Sequence, residues 1–72
     1  MPRGTRHDET GRLNEQDGRY SLRRDDGGTW RLDFSWWAER QARRLAGQRV
    51  RIIGVRDDFD LLGVERIEPV ET

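Results

Sequence analysis

Three aspartates stand around one aromatic, Asp57, Asp58, Phe59 and Asp60, and form the first candidate for cation chemistry in this chain of 72 residues. Calcium loops combine several oxygen ligands with a glycine turn and a distal bidentate glutamate. The aspartates here have no such frame, so they read as a solvated turn and no metal site is expected. Histidine occurs once, at His7, in a polar N-terminal stretch that offers it no evident partner. It is expected to be neither catalytic nor a metal ligand. Cysteine is absent, which excludes disulfides and thiolate chemistry. No nucleophile stands beside a base and no glycine-rich loop could cradle a phosphate, so neither an enzyme nor a cofactor is expected.

The remaining chemistry belongs to charge. Fourteen basic and fourteen acidic residues cancel at neutral pH, and every basic residue is arginine. Guanidinium groups make planar, two-pronged contacts with carboxylate or phosphate. Zero net charge opposes strong non-specific binding of nucleic acid, whose affinity comes largely from neutralising phosphates. Seventy-two residues make one domain, and a chain this short buries only about 60% of its unfolded surface. No apolar run marks a signal peptide or a membrane span, so a cytoplasmic protein without membrane contact is expected.

The elements that must position these groups follow from apolar alternation. Residues 1–10 carry Pro2 and Gly4 without periodicity and read as a disordered arm, leaving 11–70 as the domain. Leu13 leads into Asp17-Gly18, a two-residue hairpin turn. Tyr20 and Leu22 then face inward from a second strand, with Arg19, Ser21 and Arg23 outward. Trp30, Leu32 and Phe34 face inward from a third. Like charges disfavour a register that sets Arg23 against Arg31, so Leu22 is expected opposite Trp30. Ser35 suits a helix N-cap and Gly47 a left-handed C-terminal position. Between them Ala38, Ala42 and Leu45 share the core face, Trp37 lies at its edge and Trp36 projects away. Gly47 to Val70 holds the strongest alternation and reads as a closing hairpin. Its apolar pattern pairs Ile52 with Val64 and Gly54 with Leu62, and sets Arg51 against Glu65.

Strand, strand, strand, helix, strand, strand is the order of a mainly β, small OB-like barrel, a five-stranded Greek key. The wording of the chain also resembles a family of small bacterial proteins classed as a domain of unknown function. The shared features are G-R-L at 11–13, Y-x-L at 20–22, G-x-W-x-L at 28–32, L-A-G-x-R-V-x-I-x-G at 45–54 and L-x-V-E-R-I at 62–67. These are core positions and turn glycines, so the resemblance implies an architecture and no activity.

Two surfaces remain as candidates for a non-enzymatic binding module. Ile53, Val55 and Leu61 fall on the outer face of the closing hairpin, with Val55 expected across from Leu61. Together with Trp36 they form an apolar patch suited to a protein partner or a second copy of the chain. A bulge at Gly54 or cover from the N-terminal arm would remove that patch. Arg19, Arg23 and Arg31 line the outer face of strands two and three, where OB-folds grip single-stranded nucleic acid. Acidic loops and the lack of outward aromatics on those strands oppose this second use, so protein contact is the first expectation.

Overall fold

Asp17 and Gly18 both adopt positive φ, 53° and 79°, the geometry that a two-residue turn needs to match the twist of its flanking strands. The Glu15 carboxylate accepts the Gly18 N–H at 2.8 Å and fastens the turn. In the computed structural model, which describes residues 4–70 apart from the side chain of Trp37, this turn joins β1 (Arg6–Gln16) to β2 (Arg19–Arg24). Leu13 and Leu22 face each other across the pair. The turn into β3 (Thr29–Asp33) gives the expected register, with Leu22 opposite Trp30, and Thr29 rather than Arg31 beside Arg23.

Helix α1 (Trp36–Leu45) starts at Ser35, whose carbonyl accepts the Glu39 N–H at 2.9 Å although its hydroxyl makes no cap bond. Ala38 and Ala42 are buried and Leu45 packs against the core. Gly47 takes φ 83°, and its N–H turns away from the helix to the Leu13 carbonyl at 2.6 Å. The expected place of Trp37 at the edge of the helical core face lies outside the described side chains. β4 (Arg49–Arg56) and β5 (Leu61–Pro69) complete the order β-β-β-α-β-β.

The strands form one closed barrel in the order β1-β2-β3-β5-β4, with β1 returning to β4. All neighbours are antiparallel except β3 and β5, whose short parallel pairing sets Leu32 beside Leu62. Leu13, Leu22, Val50, Ile52 and Leu62 fill the interior without exposure. Trp30, 8% exposed, joins the same cluster as Leu22, Ile52 and Val64.

Two expectations fail. The register of the closing hairpin pairs Gly54 with Val64, Ile52 with Ile67 and Arg51 with Glu68. A shift between Ile53 and Gly54 leaves Glu65 without a partner of its own. The cause is visible in V-E-R-I: Val64 and Ile67 are three residues apart, so strict alternation cannot bury both, and a bulge can. Glu65 and Arg66 are accordingly both exposed.

The N-terminal stretch is the second failure. Residues 6–10 are strand, paired along β4 from Arg6 opposite Val55 to Thr10 opposite Arg51. Residues 1–3 of the expected arm lie outside the described residues. This half of β1 lacks apolar alternation because ion pairs and an aromatic contact hold it. Asp8 bonds to Arg51, Arg6 meets Glu65 at 2.9 Å, and the His7 ring lies 4.9 Å from that of Trp30.

Trp30→Ala should cost about 3–5 kcal/mol, the usual penalty for emptying a large aromatic site. Denaturant unfolding at neutral pH measures it, and an unchanged midpoint would contradict this placement of the ring.

Candidate functional site

Two aspartates of the β4–β5 tip, Asp58 and Asp60, have hydrogen-bonded carboxylates. Asp60 Oδ1 accepts from Arg31 Nε and Nη2 at 2.9 and 2.7 Å. Asp58 Oδ1 accepts the Phe59 N–H at 2.7 Å. Arg56 donates to the Asp58 carbonyl at 3.1 Å and lies 5.6 Å from the centre of the Phe59 ring. Among the described residues no group of three or more His, Cys, Asp or Glu side chains could hold a metal ion. None of the described helices is long and apolar enough to cross a membrane.

Ile53 and Val55 alternate on the outer side of β4 and Leu61 begins β5, but all three are half-buried. Val55 faces Gly63 and Arg6, and Leu61 sits beside Arg31, so the expected Val55–Leu61 pairing does not form. Gly4 approaches Val55 and donates its N–H to the Arg56 carbonyl at 3.1 Å. The first half of β1 thus flanks the patch. Trp36 stands apart on α1 and is 76% exposed, and Phe59 at the hairpin tip is 81% exposed.

His7, expected to lack partners, has two. Its Nδ1 lies 3.3 Å from Glu9 Oε2 and its ring tilts over Trp30. Arg24 approaches Glu9 at 3.9 Å from the neighbouring strand. His7 Nε2 and Trp30 Nε1 are buried there without a hydrogen-bond partner. Period-two spacing puts His7, Glu9, Gly11 and Leu13 on one side of β1, a signal that the polar composition obscured.

Arg6, Arg24, Arg31, Arg49, Arg51 and Arg66 each reach a carboxylate, whereas Arg12, Arg19, Arg23, Arg40, Arg43, Arg44 and Arg56 reach none among the described residues. Arg51 is held by Asp8 and Glu68, and Arg49 by Asp25. Arg31, one of the three expected nucleic-acid residues, is therefore neutralised by Asp60. Arg19 and Arg23 are exposed on β2 and have no carboxylate within 4.0 Å among the described residues. Arg12, which the sequence reading passed over, joins them on β1 and donates to the Gly47 carbonyl at 3.1 Å. It lies directly opposite Arg23 on one side and Arg49 on the other. Only the strand pairings reveal this row, because its members are far apart in sequence.

The outer face of β1, β2 and β3 is consequently polar and basic. Arg12, Asn14, Gln16, Arg19, Ser21, Arg23, Thr29 and Arg31 lie outward there, with Asp8 and Asp33 as acidic outward residues and Glu15 exposed beside the turn. A closed five-stranded barrel with one short helix defines a small, mainly β protein. A family match over residues 10–70 makes the particular assignment: the chain belongs to the family described as Protein of unknown function (DUF5818). No curated protein and no solved structure matches the chain.

Hydrogen bonds from Arg51, Arg49 and Arg31 hold the carboxyls of Asp8, Asp25 and Asp60 below their ordinary value of 3.8. A depressed folded-state value means stability present above the unfolded pKa and lost as pH falls through the folded one. The melting temperature should therefore decline below about pH 4, the ordinary aspartate range. Asp8→Asn should soften that decline and lower the melting temperature slightly at neutral pH, since exposed pairs contribute little. Thermal melts of both proteins from pH 7 to pH 2 check it, and identical acid limbs would count against the pair.

Proposed function

We propose that this protein is a non-enzymatic binding module, an OB-like barrel that takes an anionic macromolecule on the outer face of β1, β2 and β3. One observation carries the reading. Arg12, Arg19 and Arg23 crowd this face without carboxylate partners among the described residues, whereas the arginines on the outer sides of β4 and β5 are largely ion-paired. Pairing on the β4–β5 side and its absence for three neighbouring arginines here favour an anion at this face. With a zero net charge, the attraction is local and not a property of the whole chain. Absence of cysteine fits a reducing cytoplasm.

Charge reversal separates the face from the total charge. Arg19→Glu with Arg23→Glu should weaken binding of a polyanion such as polyphosphate by about tenfold per arginine, the scale of one charge-assisted contact. Arg6→Glu with Arg66→Glu changes the net charge equally and should weaken it far less. Equal losses in a titration at low salt would sink the assignment of the face.

A second reading, contact with a protein or a second copy of the chain, is favoured by the exposure of Trp36 and Phe59, 76% and 81%. Aromatic side chains of this kind anchor many interfaces. Ile53, Val55 and Leu61 support it less, being half-buried. Under this reading light scattering should show a mass rising toward twice 8.5 kDa with concentration, and Trp36→Glu should keep the chain monomeric. A wild-type mass constant into the millimolar range would exclude self-association.

A further inference from the structure

We propose that the cross-strand row Arg49, Arg12 and Arg23 is a phosphate-binding row that takes the backbone of a nucleic acid, with Asp25 competing for its Arg49 end. The inference rests on reading the β1–β3 face as anion-binding and names the anion and the residues that grip it.

The row follows from register alone. Arg49 of β4 pairs with Arg12 of β1, Arg12 pairs with Arg23 of β2, and Arg23 pairs with Thr29 of β3. Their neighbours Val50, Leu13, Leu22 and Trp30 are buried, so the row lies on the outer side of the sheet. Like charges directly opposite one another destabilise paired strands. The adjacent row avoids this: Glu68, Arg51 and Thr10 follow one another across the pairings, and the Asp25 N–H reaches the Thr10 carbonyl. Apart from the Arg49–Asp25 pair and the Arg12 bond to Gly47, folding gains nothing from setting these arginines in line. An anion lying across them would offset their repulsion.

Geometry selects the class of anion. Strands are spaced by about 4.8 Å, so the row spreads three guanidinium groups over roughly 10 Å. That suits successive phosphates of a chain better than one isolated phosphate. Guanidinium forks bind phosphate oxygens bidentately. The surrounding outward residues are Asn14, Ser21 and Thr29, and no aromatic stands among them to stack a base. Phosphate contacts position a nucleic acid without reading its sequence. Recognition is therefore of the backbone, in duplex and single strand alike.

Asp25 supplies the internal control. Its carboxylate accepts from Arg49 Nη2 and, at 3.2 Å, from Nε. It occupies the donors that a phosphate would use, so the free protein presents Arg12 and Arg23 and yields Arg49 only to an anion that displaces Asp25.

The test is fluorescence anisotropy with one labelled sequence as single strand and as duplex, and with labelled polyglutamate, over a salt series. Thermal melts verify that each variant is folded. Arg12→Gln and Arg23→Gln should each flatten the slope of log affinity against log salt by about 0.7 on the single strand and 0.9 on the duplex. Arg12→Lys, which keeps the charge, should retain most of the slope if Arg12→Gln proves unfolded. Asp25→Asn should tighten binding and steepen the slope by a similar amount. Arg66→Gln, on β5 and ion-paired with Glu68, should leave both unchanged. Unchanged slopes in Arg12→Gln and Arg23→Gln would overturn the row, and an inert Asp25→Asn would overturn the competition. Preference for the single strand that depends on base composition would overturn backbone recognition. Binding of polyglutamate without nucleic acid would overturn this inference and leave the anion-binding face standing. Binding of neither would remove both.

Discussion

Closure of the barrel depends on β1 being shared between two neighbours, and on one glycine that permits it. Gly11 pairs with Arg24 of β2 and with Val50 of β4. Residues before it lean on β4 and residues after it on β2, so the strand must coil at this point. A Cβ at Gly11 would lie 2.0 Å from the Arg23 carbonyl oxygen, a separation that no side chain can hold. The close approach of β1 to β2 therefore requires glycine there. It also determines which residues become neighbours next along: Arg12, one position on, is placed between Arg23 and Arg49. The constraint that closes the sheet is the one that assembles the basic row.

Around that closure the surface separates into two regimes. On β4, β5 and the first half of β1, opposite charges meet across strands, as in Arg51 with Asp8 and Glu68 and Arg6 with Glu65. These exposed pairs add little stability singly. They do hold in register a stretch of β1 that has almost no apolar side chain to bury, and they blunt an edge that could otherwise pair with another chain. On the second half of β1 and on β2, Arg12, Arg19 and Arg23 instead lie beside arginine or neutral polar groups, while Arg31 on β3 is again paired, with Asp60. Because the interior is small and apolar, charge can vary on the outside without disturbing Leu13, Leu22, Val50, Ile52 and Leu62, which form the centre of the core.

The closing hairpin solves a different problem, how to bury Val64 and Ile67 from one strand when they are three residues apart. The bulge beside Gly54 absorbs the extra residue, and Gly54 is crowded enough that a Cβ would meet the Gly63 carbonyl oxygen at 2.5 Å. One consequence is that Arg51 meets Glu68 instead of Glu65, which frees Glu65 to reach Arg6. A local irregularity in β5 thereby helps to seat the N-terminal half of β1.

Much of this was legible in the chain itself. Asp17-Gly18 specifies a turn because both residues tolerate positive φ, and the alternation of Tyr20, Leu22, Trp30 and Leu32 specifies faces because strand side chains alternate. The like-charge argument set Leu22 opposite Trp30, and Ala38, Ala42 and Leu45 marked the helix face. These are local signals, decided by backbone preference and period. What the sequence left open, or suggested wrongly, depended on pairings between distant segments. The strand at 6–10 is held by partners more than forty residues away, Arg51 and Glu65 among them, so its own composition looked like a free arm. Val55 is approached by Gly4 from a distant segment, and the loss of Arg31 as a free cation depends on Asp60. Arg12, Arg23 and Arg49 become one surface only when β1 closes the barrel. Side-chain type is a property of the chain, but the neighbour that neutralises or reinforces a charge is a property of the fold.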